Sequence, residues 1–308
     1  MALLNFQKVL RICLTKIMND DFAVFIMVWG RPEKMWTAHS LRKQGYTGKI
    51  FYVADDLDVT LPEYKAKYGD DLLVFSKAAM ADEVDPGDNS GDLRSTMYAV
   101  NAIPRLAKEN GIKYFFIMCD DYPGFVYKFD SELNFKENQI KSLDGIFELL
   151  LDFYKKTNAL SIAMAQCGDF IGGENSNSTK DIKLKRKAMN SFLCSTDRPL
   201  QFIGRMNEDV TTYVNLGNKG DLFLTVPNVA IHQRQTQSDS GGLSEMYLDY
   251  GTYVKSFFTV MYNPSCVKVG EMGEKHKRLH HKVKWRNAVP CIISEQYRKA
   301  SRVTGETL

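Results

Sequence analysis

The sequence predicts an α/β domain in which a mostly parallel sheet is covered by helices on both faces. Three observations predict it. Apolar runs recur at 22–29 (FAVFIMVW), 49–54 (KIFYVA), 72–75 (LLVF) and 114–118 (YFFIM). Helix-forming stretches separate most of them. The main runs close on polar or charged residues, as strands buried on both faces do where they meet solvent.

In order, the first strand stops at Gly30-Arg31-Pro32, where glycine and proline break the pattern, and a helix follows through residue 41. The second strand ends at Asp55-Asp56, and the short third strand comes next. A loop rich in Gly, Asp, Asn and Ser (85–92) leads to a helix at about 93–110, which Gly111 stops. The strand at 114–118 ends at Cys119-Asp120-Asp121. The second half is less regular. A helix at 143–156 precedes a strand at 159–165, a polar loop at 168–179, a basic stretch at 180–187 and a short strand near 192–194. Asn207-Glu208-Asp209 opens a helix through 215. Residues 222–231 read as a strand that Pro227 bends or confines to an edge. A second Gly-rich loop, 236–243, leads to a helix at 245–260. The last segment holds His276, His280, His281 and Trp285. Near the N-terminus, Leu3, Phe6, Leu10, Leu14 and Ile17 fall at helical spacing, which predicts an amphipathic helix.

Length and composition narrow the function classes. The 308 residues suit one large α/β domain or two small ones. No repeat or linker divides them, so a single domain over 1–308 is expected. Apolar residues at 44% and charged residues at 25% exclude disordered, collagen-like and coiled-coil classes. Six cysteines without a CxxC pair argue against a zinc knuckle or a dithiol redox centre, and they fit a reducing compartment. The N-terminal segment is interrupted by Lys8, Arg11 and Lys16 and shows no small-residue cleavage site. No apolar run is long enough to span a bilayer. A cytoplasmic protein with no membrane partner is therefore expected. The net charge of +3 hides a split. Residues 180–187 carry +4 and residues 268–302 carry +7, leaving −8 on the rest. Two basic segments on an otherwise acidic chain suit a polyanionic partner better than the total does.

In open α/β sheets, ligands bind outside the carboxyl ends of the strands. Those ends carry Arg31, Asp55, Asp56, Asp120 and Asp121. Two adjacent carboxylates closing a buried strand lose solvation unless a cation compensates them. Oxygen ligands suit Mn²⁺ or Mg²⁺, which also hold substrate phosphates. A solvated turn or a helix N-cap would present the same residues; the second strand-end pair, Asp55-Asp56, favours the metal. Glu208 and Asp209 at a helix start are equally expected from attraction to the positive end of the helix dipole. His280 and His281 are competent Mn²⁺ ligands when neutral. On a strand they point to opposite faces, so one at most ligates. The alternative for HKRLHH is a solvated, phosphate-binding patch. His232, after an apolar run, is a further candidate or a structural histidine.

The order of these features resembles a nucleotide-sugar glycosyltransferase of the GT-A fold, a Rossmann-like architecture. More specifically, FIMVWGRP, the acids of FIMCDDY, the NED element, SGGLSEMY…YVKSFF and the terminal HHKVKW…VP carry a resemblance over about residues 20–300. They are similar to the TET-associated glycosyltransferase family, found largely in tailed phages and linked to DNA base hypermodification. The resemblance implies transfer from a UDP-sugar to the hydroxyl of a hydroxymethylated pyrimidine in double-stranded DNA. 5-Hydroxymethylcytosine is the first acceptor and 5-hydroxymethyluracil the second; the implied location is the host cytoplasm.

On that resemblance, residues 20–165 form the nucleotide-sugar half and 166–308 the acceptor half. Arg31, Asp55, Asp56, Asn89, Arg94 and Asp120 become donor contacts, with Asp92 beside them. Asp121, with His281 or His280, becomes the metal site. The adjacent acids lack the spacer of the usual DxD motif; Cys119-Asp120-Asp121 is the alternative alignment. Asp209, or else Glu208, becomes the base that takes the acceptor proton. Lys183, Lys185, Arg186 and Lys187, with Lys282, Lys284 and Arg286, become contacts to the DNA backbone. Tyr247 or Trp285 stacks on an exposed base, and 238–242 closes over donor or acceptor. The competing readings are a GT-A enzyme with a glycan or protein acceptor, a catalytically silent DNA-binding module, and a nucleotidyltransferase. The last is poorly served by Gly30-Arg31-Pro32 as a phosphate loop.

Overall fold

The four apolar runs of the first half become β1 (Phe22–Met27), β2 (Lys49–Asp55), β3 (Leu72–Phe75) and β4 (Tyr114–Cys119). They pair in parallel in the order β3-β2-β1-β4. The computed structural model describes residues 20–132, 134–166, 190–234, 244–251, 253–272 and 277–290. The expected N-terminal helix, the loops at 168–179 and 238–242, Lys183, Lys185, Arg186, Lys187 and His276 lie outside the described residues.

The sheet continues through β5 (Gly124–Phe129), β6 (Phe135–Gln139), β7 (Ala159–Gln166), β8 (Phe192–Ser195) and β9 (Leu222–His232). Its full order is β3-β2-β1-β4-β8-β7-β9-β5-β6. Parallel pairing resumes between β7 and β9, whereas β8, β5 and β6 run antiparallel to their neighbours. The α/β class is as expected, with a sheet more mixed than the apolar runs imply. Because β1, β2, β4, β7 and β9 point the same way, Met27, Asp55, Cys119, Gln166 and His232 close on one edge.

Helices cover both faces, as the apolar strands require. On one face, α1 (Trp36–Lys43) and α5 (Leu143–Lys156) bury Ala38, Leu41, Ile146, Phe147 and Leu150. On the other, α4 (Met97–Glu109) and α6 (Glu208–Lys219) bury Val100, Ile103, Tyr213 and Val214. Two further helices, α2 (Leu61–Tyr68) and α3 (Lys77–Ala81), flank β3. The helix expected from residue 93 begins at Met97. Asp92 and Ser95 accept the backbone N–H groups of Arg94 and Met97, and these local turns compete with the helix. The helix expected at 245–260 is two, α7 (Ser244–Tyr250) and α8 (Val254–Tyr262), broken at Gly251 with φ 85°. Pro227 falls where the β7–β9 register jumps from Met164↔Val226 to Ala165↔Ala230, so the expected bend is present. The last segment forms a separate antiparallel hairpin, β10 (Val267–Met272) and β11 (Arg278–Val283). Among the described residues, no helix is long and apolar enough to cross a membrane.

Candidate active site at the carboxyl edge of the sheet

Where β4 ends, Thr37 at the start of α1 fastens the turn. Its N–H donates to the Asp120 carbonyl at 3.1 Å and its Oγ1 to the Cys119 carbonyl at 2.6 Å. The same hydroxyl accepts the Tyr122 N–H at 2.9 Å. Arg31, just beyond β1, donates from Nη2 to Asp120 Oδ1 at 2.6 Å. Asp120 is 3% exposed. Burial pushes its carboxyl up to about 7 against the pull of Arg31. Asp120 Oδ2 is buried and has no hydrogen-bond partner among the described residues.

The Arg31 turn is itself held by residues that follow β2. Gly30, at φ 64°, donates its N–H to Asp58 Oδ2 at 2.9 Å, and the Arg31 N–H donates to the Tyr64 hydroxyl at 3.0 Å. Glycine suits this left-handed turn because it carries no Cβ. Asp55 forms a buried ion pair with Lys77 Nζ at 2.9 Å and accepts the Leu57 N–H at 3.0 Å. Burial raises its pKa against the pull of Lys77. The Lys77 ammonium also lies 4.2 Å from the centre of the Trp29 ring. Asp56 accepts the Lys77 N–H at 2.9 Å, at the start of α3. Both strand-end acids of β2 are thus engaged in shaping this turn.

The loop at 85–95 is locked by an arginine that local motifs do not single out. Arg205, 2% exposed, donates to Asp88 Oδ2 at 2.7 and 3.1 Å and to Asp92 Oδ2 at 3.2 Å. Arg94 pairs with Asp92 at 2.8 Å and with Asp249 of α7 at 2.6 Å. The Arg94 hydrogen bonds hold the Asp92 carboxyl down at about 2. Asn89 is exposed on the same loop.

The second group of acids sits at the start of α6. Asn207 precedes it at φ 59°, the one positive-φ residue other than glycine among the described residues. Its side chain does not cap the helix. Nδ2 donates to Thr259 Oγ1 at 2.5 Å and lies 3.4 Å from His281 Nδ1. Glu208 accepts a hydrogen bond from the Thr96 hydroxyl. Burial raises the pKa values of both Glu208 and Asp209, and the Lys255 ammonium opposes that rise. Lys255 is lowered in turn by burial. Burial pushes His281 down to about 4 and lowers His280 as well. His280 and His281 alternate along the strand, with their ring centres 4.1 Å apart.

The structure therefore brings Arg31 to Asp120 beside Asp121, and gathers Glu208 and Asp209 with Lys255, Asn207 and His281. Among the described residues, no three His, Cys, Asp or Glu side chains gather as a metal-binding group. The hairpin docks His281 against Asn207. The strand-end carboxylates still fit Mn²⁺ or Mg²⁺. Such ions use one or two protein carboxylates and take their remaining ligands from phosphate and water, and Asp120 Oδ2 is a buried oxygen with capacity to spare. Of the two aromatics expected to stack on a base, Trp285 is partly exposed and stacks on Tyr213 with ring centres 6.0 Å apart, and Tyr247 is 9% exposed. Lys282, Lys284 and Arg286 are exposed. Sequence reasoning missed Thr37, Asp58, Tyr64, Lys77, Arg205 and Lys255. Only Asp58 carries a local signal, an Asp two residues before a Thr whose N–H and hydroxyl it accepts.

A sequence model of a family described as TET-Associated Glycosyltransferase matches residues 22–242. No curated protein matches the chain by sequence. Among solved structures, the chain is similar to glucosyl-3-phosphoglycerate synthase from Mycobacterium tuberculosis in complex with Mn²⁺, UDP and phosphoglyceric acid. That likeness has 9% identity, a TM-score of 0.42, and coverage of 85% of this chain and 86% of that one. The same synthase with Mn²⁺ and UDP-glucose gives 8% identity, a TM-score of 0.42, and coverage of 92% and 94%. A structure described as a mycobacterial protein gives 8%, 0.43, 85% and 83%. These are likenesses of outline; the family assignment rests on the sequence match.

Proposed function

The chain belongs to the TET-associated glycosyltransferase family, and from that premise we propose that it moves a sugar from a UDP-sugar to a hydroxymethylated pyrimidine in double-stranded DNA. The acceptor is 5-hydroxymethylcytosine in the first instance, and transfer depends on Mn²⁺ or Mg²⁺. One observation carries the metal dependence. Asp120 is buried, pinned on one oxygen by Arg31 and, among the described residues, without a hydrogen-bond partner on the other. A buried carboxylate so placed is costly unless a cation completes it. Asp120 and Asp121 would hold the ion, which would neutralise charge on the departing diphosphate.

The chain's own groups supply the rest. Arg31 fixes Asp120 and adds positive charge near the diphosphate. Asp209, with Glu208 beside it, receives the acceptor hydroxyl proton. The hydroxyl oxygen bonds to the anomeric carbon as the bond from that carbon to the UDP oxygen breaks. Thr96 donates to Glu208 and so favours its ionised form, while Lys255 favours ionisation of both acids at neutral pH. Arg205 and Arg94 hold the 85–95 loop against α7. The exposed Lys282, Lys284 and Arg286 support a polyanionic acceptor.

The test is a donor panel. Protein, Mn²⁺ and each of several UDP-sugars are incubated with duplex DNA containing 5-hydroxymethylcytosine or 5-hydroxymethyluracil, and the digested nucleosides are weighed by mass spectrometry. A hexose or pentose increment on one of the two nucleosides is expected. An increment on added glycan or protein but none on DNA would move the acceptor to those classes.

A further inference from the structure

The β10–β11 hairpin separates its residues by face. Directly opposed residues share a face, and the register pairs Lys268↔Lys282, Gly270↔His280 and Met272↔Arg278. The intervening pairs, Val267↔Val283, Val269↔His281 and Glu271↔Leu279, form the other face. Val267 is 1% exposed, Val283 packs against the core, and His281 reaches Asn207. That second face is the docked one. The first face holds Lys268, Arg278 and Lys282, all exposed.

Three features make this outer face more than a scatter of solvated lysines. Lys268 and Lys282 stand directly opposite each other, an arrangement that destabilises a strand pair unless an anion compensates it. None of Lys268, Arg278 and Lys282 has an ion-pair partner among the described residues, although Lys277 on the same hairpin pairs with Glu271 at 3.0 Å. Gly270 also leaves room for Lys282 to lie across the hairpin. A Cβ at residue 270 would fall 2.7 Å from Lys282 Cδ and 2.8 Å from its Cε. Through His281, which lies 3.4 Å from Asn207, the hairpin sits beside the acids at the start of α6.

We propose that Lys268, Arg278 and Lys282 form a phosphodiester-binding face that seats the DNA backbone beside Glu208 and Asp209. This inference rests on the DNA-acceptor reading and goes beyond it by assigning the contact to one face of one hairpin, and by adding Lys268 and Arg278 to it. The face recognises charge rather than base sequence, so it binds unmodified duplex as well as modified duplex.

The test measures affinity for unmodified duplex DNA against salt concentration. Each phosphate contact contributes about 0.9 to the slope of log K against log salt. The triple variant Lys268→Gln, Arg278→Gln, Lys282→Gln should lower the slope by about 2 to 3. A control triple, Lys43→Gln, Lys108→Gln, Lys156→Gln, removes the same charge at the C-terminal ends of α1, α4 and α5, at the opposite edge of the sheet. It should leave the slope nearly unchanged. Gly270→Ala, which displaces Lys282 without removing charge, should give an intermediate loss of affinity. Equal slopes for the two triples would overturn the proposal while leaving a DNA acceptor intact. A wild-type protein that binds no DNA, or binds an acidic glycan in preference, would overturn both.

Discussion

Arg31 reaches Asp120 across 89 positions of sequence, and their 2.6 Å ion pair ties the exit of β1 to the exit of β4. The pair joins the two strand ends around which a nucleotide diphosphate would lie. It also decides the charge state of the buried carboxylate, because burial raises Asp120 and Arg31 lowers it.

Arg31→Gln keeps a donor in place and removes the charge. A hydrogen bond to a charged group contributes about 1.5–3 kcal/mol, so affinity for Mn²⁺–UDP should fall at least about 10-fold, with the circular dichroism of the folded chain retained. Titration calorimetry reads the change. Wild-type affinity in this variant would detach the ion pair from the donor site.

Lys255→Met tests the electrostatics of the second acid pair. Burial raises Glu208 and Asp209, and Lys255 opposes that rise. Without the ammonium, both pKa values climb further, and the ionised base develops only at higher pH. The acidic limb of the kcat profile should therefore move to higher pH, while the rate on the alkaline plateau recovers most of its wild-type value. An unmoved limb with a uniformly reduced rate would mean that Lys255 serves structure alone.

Asp92 carries a stability prediction. Its folded pKa of about 2 lies below the ordinary 3.8, chiefly through Arg94. The sign follows from linkage: a depressed carboxyl contributes stability above its unfolded pKa, and that contribution is lost as pH falls from about 4 to 2. The contribution is about 2 kcal/mol. Asp92→Asn should be less stable than wild type at pH 6 and should lose less stability than wild type between pH 4 and pH 2. Parallel acid-denaturation curves would contradict this.

Trp285 separates packing from recognition. It stacks on Tyr213, so Trp285→Ala should lower stability by about 2 kcal/mol. Trp285→Phe should keep both the fold and DNA affinity. A selective loss of DNA affinity in a stably folded Trp285→Phe would return this residue to the acceptor site.

The legible parts of this molecule are those whose physics is local. β1, β2 and β4 are buried on both faces, so they read as unbroken apolar runs, and their terminal charges mark the edge where ligands bind. The β5–β6 hairpin gave no such signal because FKENQ is a largely exposed edge strand with no apolar alternation. Gly251 was readable as a helix breaker only once its left-handed backbone was seen. Asp120, Asp121, Glu208 and Asp209 stood out by their strand-end or helix-start context. Arg205 and Lys255 did not, since each acquires its role from residues distant in sequence. The neighbour of His281 was hidden for the same reason, since the docking of the hairpin sets it beside Asn207.

The central claim is metal-dependent glycosyl transfer at the end of β4. The most direct measurement is the rate of transfer to hydroxymethylated DNA by wild type and Asp121→Ala, each with Mn²⁺ and with a chelator. Wild type with Mn²⁺ should transfer, and both chelation and the substitution should cut the rate by at least about 100-fold. Transfer by folded Asp121→Ala at the wild-type rate, or transfer unaffected by the chelator, would contradict the account.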